Sequence, residues 1–164
     1  MALTKINNNT LSAVTTLPSA IATGKVLQVV SPAYPNLSQQ TVTATSYTLI
    51  GDYVATITPS STSSKILVVG SAHFDSGGNG NEIGLAIYRY IGDGGYTNPI
   101  SYASDYGQTS DSSRENKTVP AWSYLDSPNT TSTVGYALHA KASTNDTIYC
   151  NRKTLNITLI EIGA

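Results

Sequence analysis

The chain has 164 residues with nine basic and ten acidic side chains, a net charge of −1, and 40% hydrophobic against only 12% charged residues. This length favours one hydrophobic core. No cluster of Lys or Arg exists to meet a phosphate backbone, which argues against nucleic acid as a partner, and no run approaches the roughly 20 apolar residues of a membrane span. Helices of a soluble domain need charged outer faces, so this composition predicts β structure. The aromatic set agrees: 11 Tyr stand beside one Phe and one Trp, and Tyr suits a sheet surface where the ring packs and the hydroxyl reaches a partner.

Residues 1–23 are rich in Asn, Thr and Ser. They carry Leu3, Ile6, Leu11, Val14, Leu17 and Ile21 at no sustained strand or helix period, with Pro18 among them. They read as an extended N-terminal arm ahead of a domain spanning 24–164, with the six aliphatic side chains as its anchoring candidates. Asn7, Asn8 and Asn9 stand where a signal peptide needs an apolar stretch, so synthesis and retention in a cytoplasm are expected. The single Cys150 fits that compartment and reads as a small buried hydrophobe.

Strand signals then recur at short intervals. Residues 25–30 form a first strand, stopped at Ser31-Pro32, and the β-branched run 41–49 a second. Residues 52–58 alternate apolar and polar side chains in a third. Residues 65–74 are apolar on both faces at first, which predicts a central strand. In 82–91, Ile83, Leu85 and Ile87 share one face and Tyr88 and Tyr90 the other. A Gly-rich turn follows at 92–95, then a polar connection over 101–117 and an edge strand over 118–125 that tolerates Pro120. Residues 132–142 alternate cleanly, and strands at 147–150 and 154–162 close the chain. Eight to ten short strands without helices predict an all-β, jelly-roll-like antiparallel β-sandwich.

Chemistry is sparse. His73 and Asp75 point to one face of an extended strand, but Ser76 points to the other and no nucleophile elbow is present, so a solvated strand end is expected rather than a triad. His73, His139 and Cys150 are too few and too scattered for a zinc site. The loop 75–82 departs from the calcium-loop pattern at its third and twelfth positions, Gly77 and Ala86, and the Gly-x-Gly frame begun at Gly78 reaches Ile83 where Gly is needed. Asp75 with Glu82, and Asp105 with Asp111, fall in loops rather than on facing strands, so no glycosidase pair is read. The expectation is no enzyme, no metal and no cofactor. Tyr88, Tyr90, Tyr96, Tyr102, Tyr106, Trp122 and Tyr124 form the candidate recognition surface, suited to a protein partner or a host glycan.

The stretches 24–30 and 57–68, with the opening 1–6 and the ending 159–164, resemble structural proteins of tailed bacteriophages, especially those of cyanobacteria and marine bacteria. The resemblance rests on strand-and-turn patterns covering the first half and the last strand. It implies a virion protein, trimeric, displayed on capsid or tail and partnered by itself and by a major capsid protein or a tail component. The chain has no heptads, internal repeat or collagen-like period from which to build a shaft. A short arm that can lie along neighbouring subunits, plus a compact head, therefore points to a capsid-decorating (cement) protein. A tail-fibre tip or adaptor and a carbohydrate-binding lectin are the alternatives.

Overall fold

The computed structural model describes residues 24–34, 38–76, 83–96, 99–106, 116–142 and 147–163. The arm residues Leu3, Ile6, Leu11, Val14, Leu17 and Ile21 lie outside this set, as does the Gly-rich turn 77–82. The described strands are β1 (Lys25–Val30), β2 (Gln40–Val42), β3 (Thr48–Ile57), β4 (Lys65–Ser76), β5 (Ile83–Ile91), β6 (Ser101–Tyr106), β7 (Asn116–Thr118), β8 (Ala121–Asp126), β9 (Val134–Ala142) and β10 (Ile148–Gly163).

One sheet runs β1-β10-β4, continued by β7 and β8 end to end along β4, with β2 also on β10; the other runs β3-β9-β5-β6. Every pairing among the described strands is antiparallel. Four of the pairings nest: β1 with β10, β3 with β9, β4 with β8 and β5 with β6. That is one long hairpin rolled up so that alternate pairs fall in opposite sheets, which is the jelly-roll topology.

Period-2 alternation explains why the sheets stack. Ile66, Val68, Ala72 and Phe74 of β4 and Leu155, Ile157 and Leu159 of β10 are buried on one side. They meet Ile83, Leu85 and Ile87 of β5 and Val134, Tyr136, Leu138 and Ala140 of β9 on the other. Cys150 is buried in the same core, and burial raises its thiol pKa well above the ordinary value.

Several expected boundaries change, each for a local reason. The run 41–49 is not one strand: β2 pairs with β10 in the first sheet and β3 with β9 in the second. The chain changes sheets between them, and the Ala44 carbonyl accepts a hydrogen bond from the Ala142 amide at this corner. The polar stretch 101–117 contains β6, held by backbone pairing to β5. An edge strand needs no apolar alternation to be recruited that way, so hydropathy missed it. The last two expected strands are one, β10, interrupted where its register with β4 jumps between Cys150 and Leu155. As expected, β4 is interior and β8 an edge strand. Pro120 separates β7 from β8, and its carbonyl accepts from the Ala72 amide.

Two polar clusters centred on buried carboxylates fasten elements together. Arg89 reaches from β5 to β8, its Nη1 lying 2.8 Å from both carboxylate oxygens of Asp126. Tyr136 of β9 donates its hydroxyl to Oδ2 at 2.8 Å. Burial first, then the Asp126 charge and hydrogen bond, push the Tyr136 pKa far above its ordinary value. Elsewhere the buried Glu161 accepts at Oε1 from the backbone amide and hydroxyl of Ser60, both at 2.7 Å, and at Oε2 from Gln28 Nε2 at 2.6 Å. Burial alone would raise its pKa, but the hydrogen bonds outweigh that and bring it down to about 2.

Replacing Asp126 by Ala leaves the Arg89 guanidinium without its carboxylate and should cost about 3 kcal/mol in urea unfolding, whereas Tyr136→Phe should cost about 1–2 kcal/mol. Equal small losses in the two variants would mean that the cross-sheet pair contributes little. The Glu161 carboxylate has a lowered folded-state pKa, so its contribution is present above pH 4.5 and disappears as pH falls toward about 2. Glu161→Gln should lower the melting temperature at neutral pH and flatten the loss of stability across that acid window.

Candidate functional site

The outward face of the β3-β9-β5-β6 sheet gathers the aromatic side chains. Because Ile83, Leu85 and Ile87 point into the core, Gly84, Ala86, Tyr88 and Tyr90 of β5 point outward. On β9 the outward set is Gly135, Ala137, His139 and Lys141. The register sets Tyr90 opposite Gly135 and Lys141 opposite Gly84. Each long side chain lies flat over the glycine facing it: a Cβ at Gly135 would collide with the Tyr90 ring, and one at Gly84 with the Lys141 chain. The two glycines thus let large groups cover the sheet.

The rings above this floor pack on one another. Tyr88 stacks on His139 with centroids 4.0 Å apart, and Tyr96 meets the same imidazole edge-on at 4.9 Å. Tyr90 and Tyr96 make a T-shaped pair at 5.3 Å, and Tyr47, just before β3, approaches Tyr88 at 6.2 Å. Lys141 Nζ sits 5.1 Å from the Tyr47 ring centroid, within cation–π range. His139 is buried beneath its neighbours, and burial lowers its pKa despite an opposing hydrogen bond to the Ala137 backbone. Burial thus favours the neutral form of this imidazole. The result is an ordered aromatic patch with Tyr96 as its most open ring.

The sequence-derived candidates divide between faces. Tyr88, Tyr90 and Tyr96 belong to this patch. Tyr102 and Tyr106 hold register positions in β6 beside Ala86 and Ile83, and their side chains lie outside the described set. Trp122 and Tyr124 do not join it. On β8 the inward positions are Trp122, Tyr124 and Asp126, while Ala121, Ser123 and Leu125 face out. Trp122 is only 8% exposed, and its indole covers Gly70 of β4, so it is a core residue and no exposed platform. Spacing missed Tyr47, His139 and Lys141. The legible signal was outward Gly84 and Gly135 inside strong strands, where glycine marks a close approach.

His73 and Asp75 do meet, with Nε2 3.2 Å from Oδ1, but both are buried, which corrects the expected solvated strand end. Cys150 pairs with Phe74 and Leu155 with Ala72, so residues 151–154 of β10 bulge opposite the single residue His73. The contact sets a buried imidazole against a buried carboxylate. A nucleophile would have to engage Nδ1, which has no hydrogen-bond partner among the described residues. Among those residues, no three His, Cys, Asp or Glu side chains assemble as metal ligands, and no helix is long and apolar enough to cross a membrane.

No family model matches the chain, and no curated protein matches it. Among solved structures it is similar to the crystal structure of the T13 viral particle of infectious bursal disease virus, at 14% identity and a TM-score of 0.50 over 82% of this chain and 35% of that one. The structure of the Gt strain of the same virus matches at 13% identity, 82% of this chain, 37% of that chain and a TM-score of 0.48. The chain thus spans about a third of the length of these relatives. At such identity the likeness concerns the fold, and it agrees with the jelly-roll topology read from the strand pairing.

Burial of a neutral His139 makes folding sensitive to mild acid. With a folded-state pKa below 6.5, its contribution is intact above pH 6.5 and is lost as pH falls through the interval beneath it. Urea unfolding of wild type and His139→Phe between pH 8 and 5 should diverge, with the wild type alone losing stability below 6.5. Parallel curves would remove His139 as the cause.

Proposed function

We propose that this chain is a non-enzymatic structural protein of a virion: a homotrimeric capsid-decorating (cement) protein of a tailed bacteriophage, anchored through residues 1–23. The observation that carries the reading is the rolled-hairpin sandwich, a fold used repeatedly in viral coats and shared over 82% of the chain with a solved virus particle. The phage assignment draws on the sequence resemblance in residues 24–30 and 57–68 and at the two ends. The near-neutral surface, net charge −1, suits a protein that works packed against others rather than dispersed.

The aromatic patch favours a second reading, a receptor- or glycan-binding head such as a fibre tip, adaptor or lectin. Tyr88, Tyr90 and Tyr96 lie on an outward sheet face, where rings can meet a sugar or a partner. The rings are largely packed on one another and His139 is covered, which suits a preformed protein contact better than an open stacking platform.

Light scattering on the purified full-length chain should report about three times the 17.2 kDa chain mass at micromolar concentration. A clean monomer would overturn the trimeric reading. Saturable binding on a glycan array, abolished by Tyr96→Ala, would move the assignment to the second reading.

A further inference from the structure

The outward face of the β1-β10-β4-β8 sheet carries a row of apolar side chains that the core does not use. The register aligns Val29 with Ile160, Ile160 with Leu67 and Leu67 with Leu125, one residue from each of four adjacent strands. Val29 is 58% and Leu125 47% exposed, so the row is open at both ends. The next position adds Ile162 and Val26, the latter 62% exposed, and Leu27 beside them is 44% exposed. Four of the six large hydrophobic side chains found exposed among the described residues therefore lie on this one patch. Solvated β-sheet faces normally alternate to polar residues here, so the patch calls for a cover.

Its size argues against two such faces pairing on their own. Four strands about 4.8 Å apart, over roughly three residues of length, present about 150–200 Å², well short of the roughly 800 Å² per partner in a stable interface. A row this narrow fits a single extended segment. The chain supplies one: residues 1–23 hold Leu3, Ile6, Leu11, Val14, Leu17 and Ile21, with Lys5 as the only charged side chain. They join the sandwich at Gly24, where an added Cβ would stand 2.8 Å from Ile162 Cγ2 at the margin of the patch. Fully extended, 23 residues reach about 75–80 Å, several times the width of the sheet and enough to cross to a neighbouring subunit. Among the described residues β1 pairs with β10 alone, so the patch ends at an open strand edge where an incoming segment can also find backbone partners.

We propose that this apolar row is the receiving site for residues 1–23 of a second copy of the chain, so that subunits are linked by exchanged arms. The inference rests on reading residues 1–23 as an anchoring arm. It names the surface that receives them and needs no particular address on a particle.

A mixing experiment on full-length protein tests it. Val29→Asp with Leu125→Asp spoils the row at two exposed positions, and Leu11→Asp with Leu17→Asp spoils the arm. Each double variant alone should run as a 17.2 kDa monomer under conditions where the wild type associates. Mixed in equal amounts, they should form pairs of about twice that mass, because one supplies an intact arm and the other an intact row. If the arm variant still associates like wild type, the faces or edges pair directly and the proposal fails. If both variants are monomeric but never combine, the arm does not dock in trans and the proposal fails again. Circular dichroism guards against unfolding, and Val29→Ser with Leu125→Ser replaces the aspartates if that check fails. A wild type that associates as a dimer would refute the trimer while leaving arm exchange standing.

Discussion

Everything in this molecule hangs on the burial of one face of each sheet against the other. A strand has two faces and a jelly roll has two sheets, so every position is committed to the interface or to its outside. The chain has few charges to spend on marking that difference and relies on aliphatic side chains inside, with Tyr, Ser and Thr outside. Where a polar group must enter the interface it comes with partners: Asp126 receives Arg89 and Tyr136 from the facing sheet, and Glu161 receives Ser60 and Gln28 at the sandwich margin. A desolvated carboxylate without such donors would oppose the stacking it now reinforces.

The two outward faces consequently have different characters. On the β3-β9-β5-β6 sheet, Gly84 and Gly135 let Lys141 and Tyr90 lie flat, and the rings of Tyr88 and Tyr96 close over His139. That face provides its own cover. On the other sheet, Val29 and Leu125 stand open at the ends of a row for which the described residues provide no equivalent covering. A sandwich with one self-covered face and one bare apolar row presents two chemically different outer surfaces.

Residues 151–154 of β10 bulge opposite His73, and the His73–Asp75 pair is buried on the outward side of β4 rather than solvated. A buried imidazole beside a carboxylate is a more specific feature than a strand end running into a turn, yet among the described residues no group engages its Nδ1 as a triad would require.

Much of the sandwich was legible in the residues themselves. Alternation in 83–87 and 134–142 marked inside from outside, the doubly apolar start of residues 65–74 marked an interior strand, and Pro120 marked an edge. Each of these signals is local, because the side-chain period of a strand is fixed at two. The pairing decided the rest. Only the stacked sheets turn Trp122 inward over Gly70, bring Tyr47 and His139 to Tyr88, and recruit the polar strand Ser101–Tyr106. Val29, Ile160, Leu67 and Leu125 lie far apart in the chain and become one row only when β1, β10, β4 and β8 take their register. Composition and periodicity determine which face of each strand is apolar; which apolar faces become neighbours is set by backbone hydrogen bonds between distant segments, and no single strand's sequence encodes that choice.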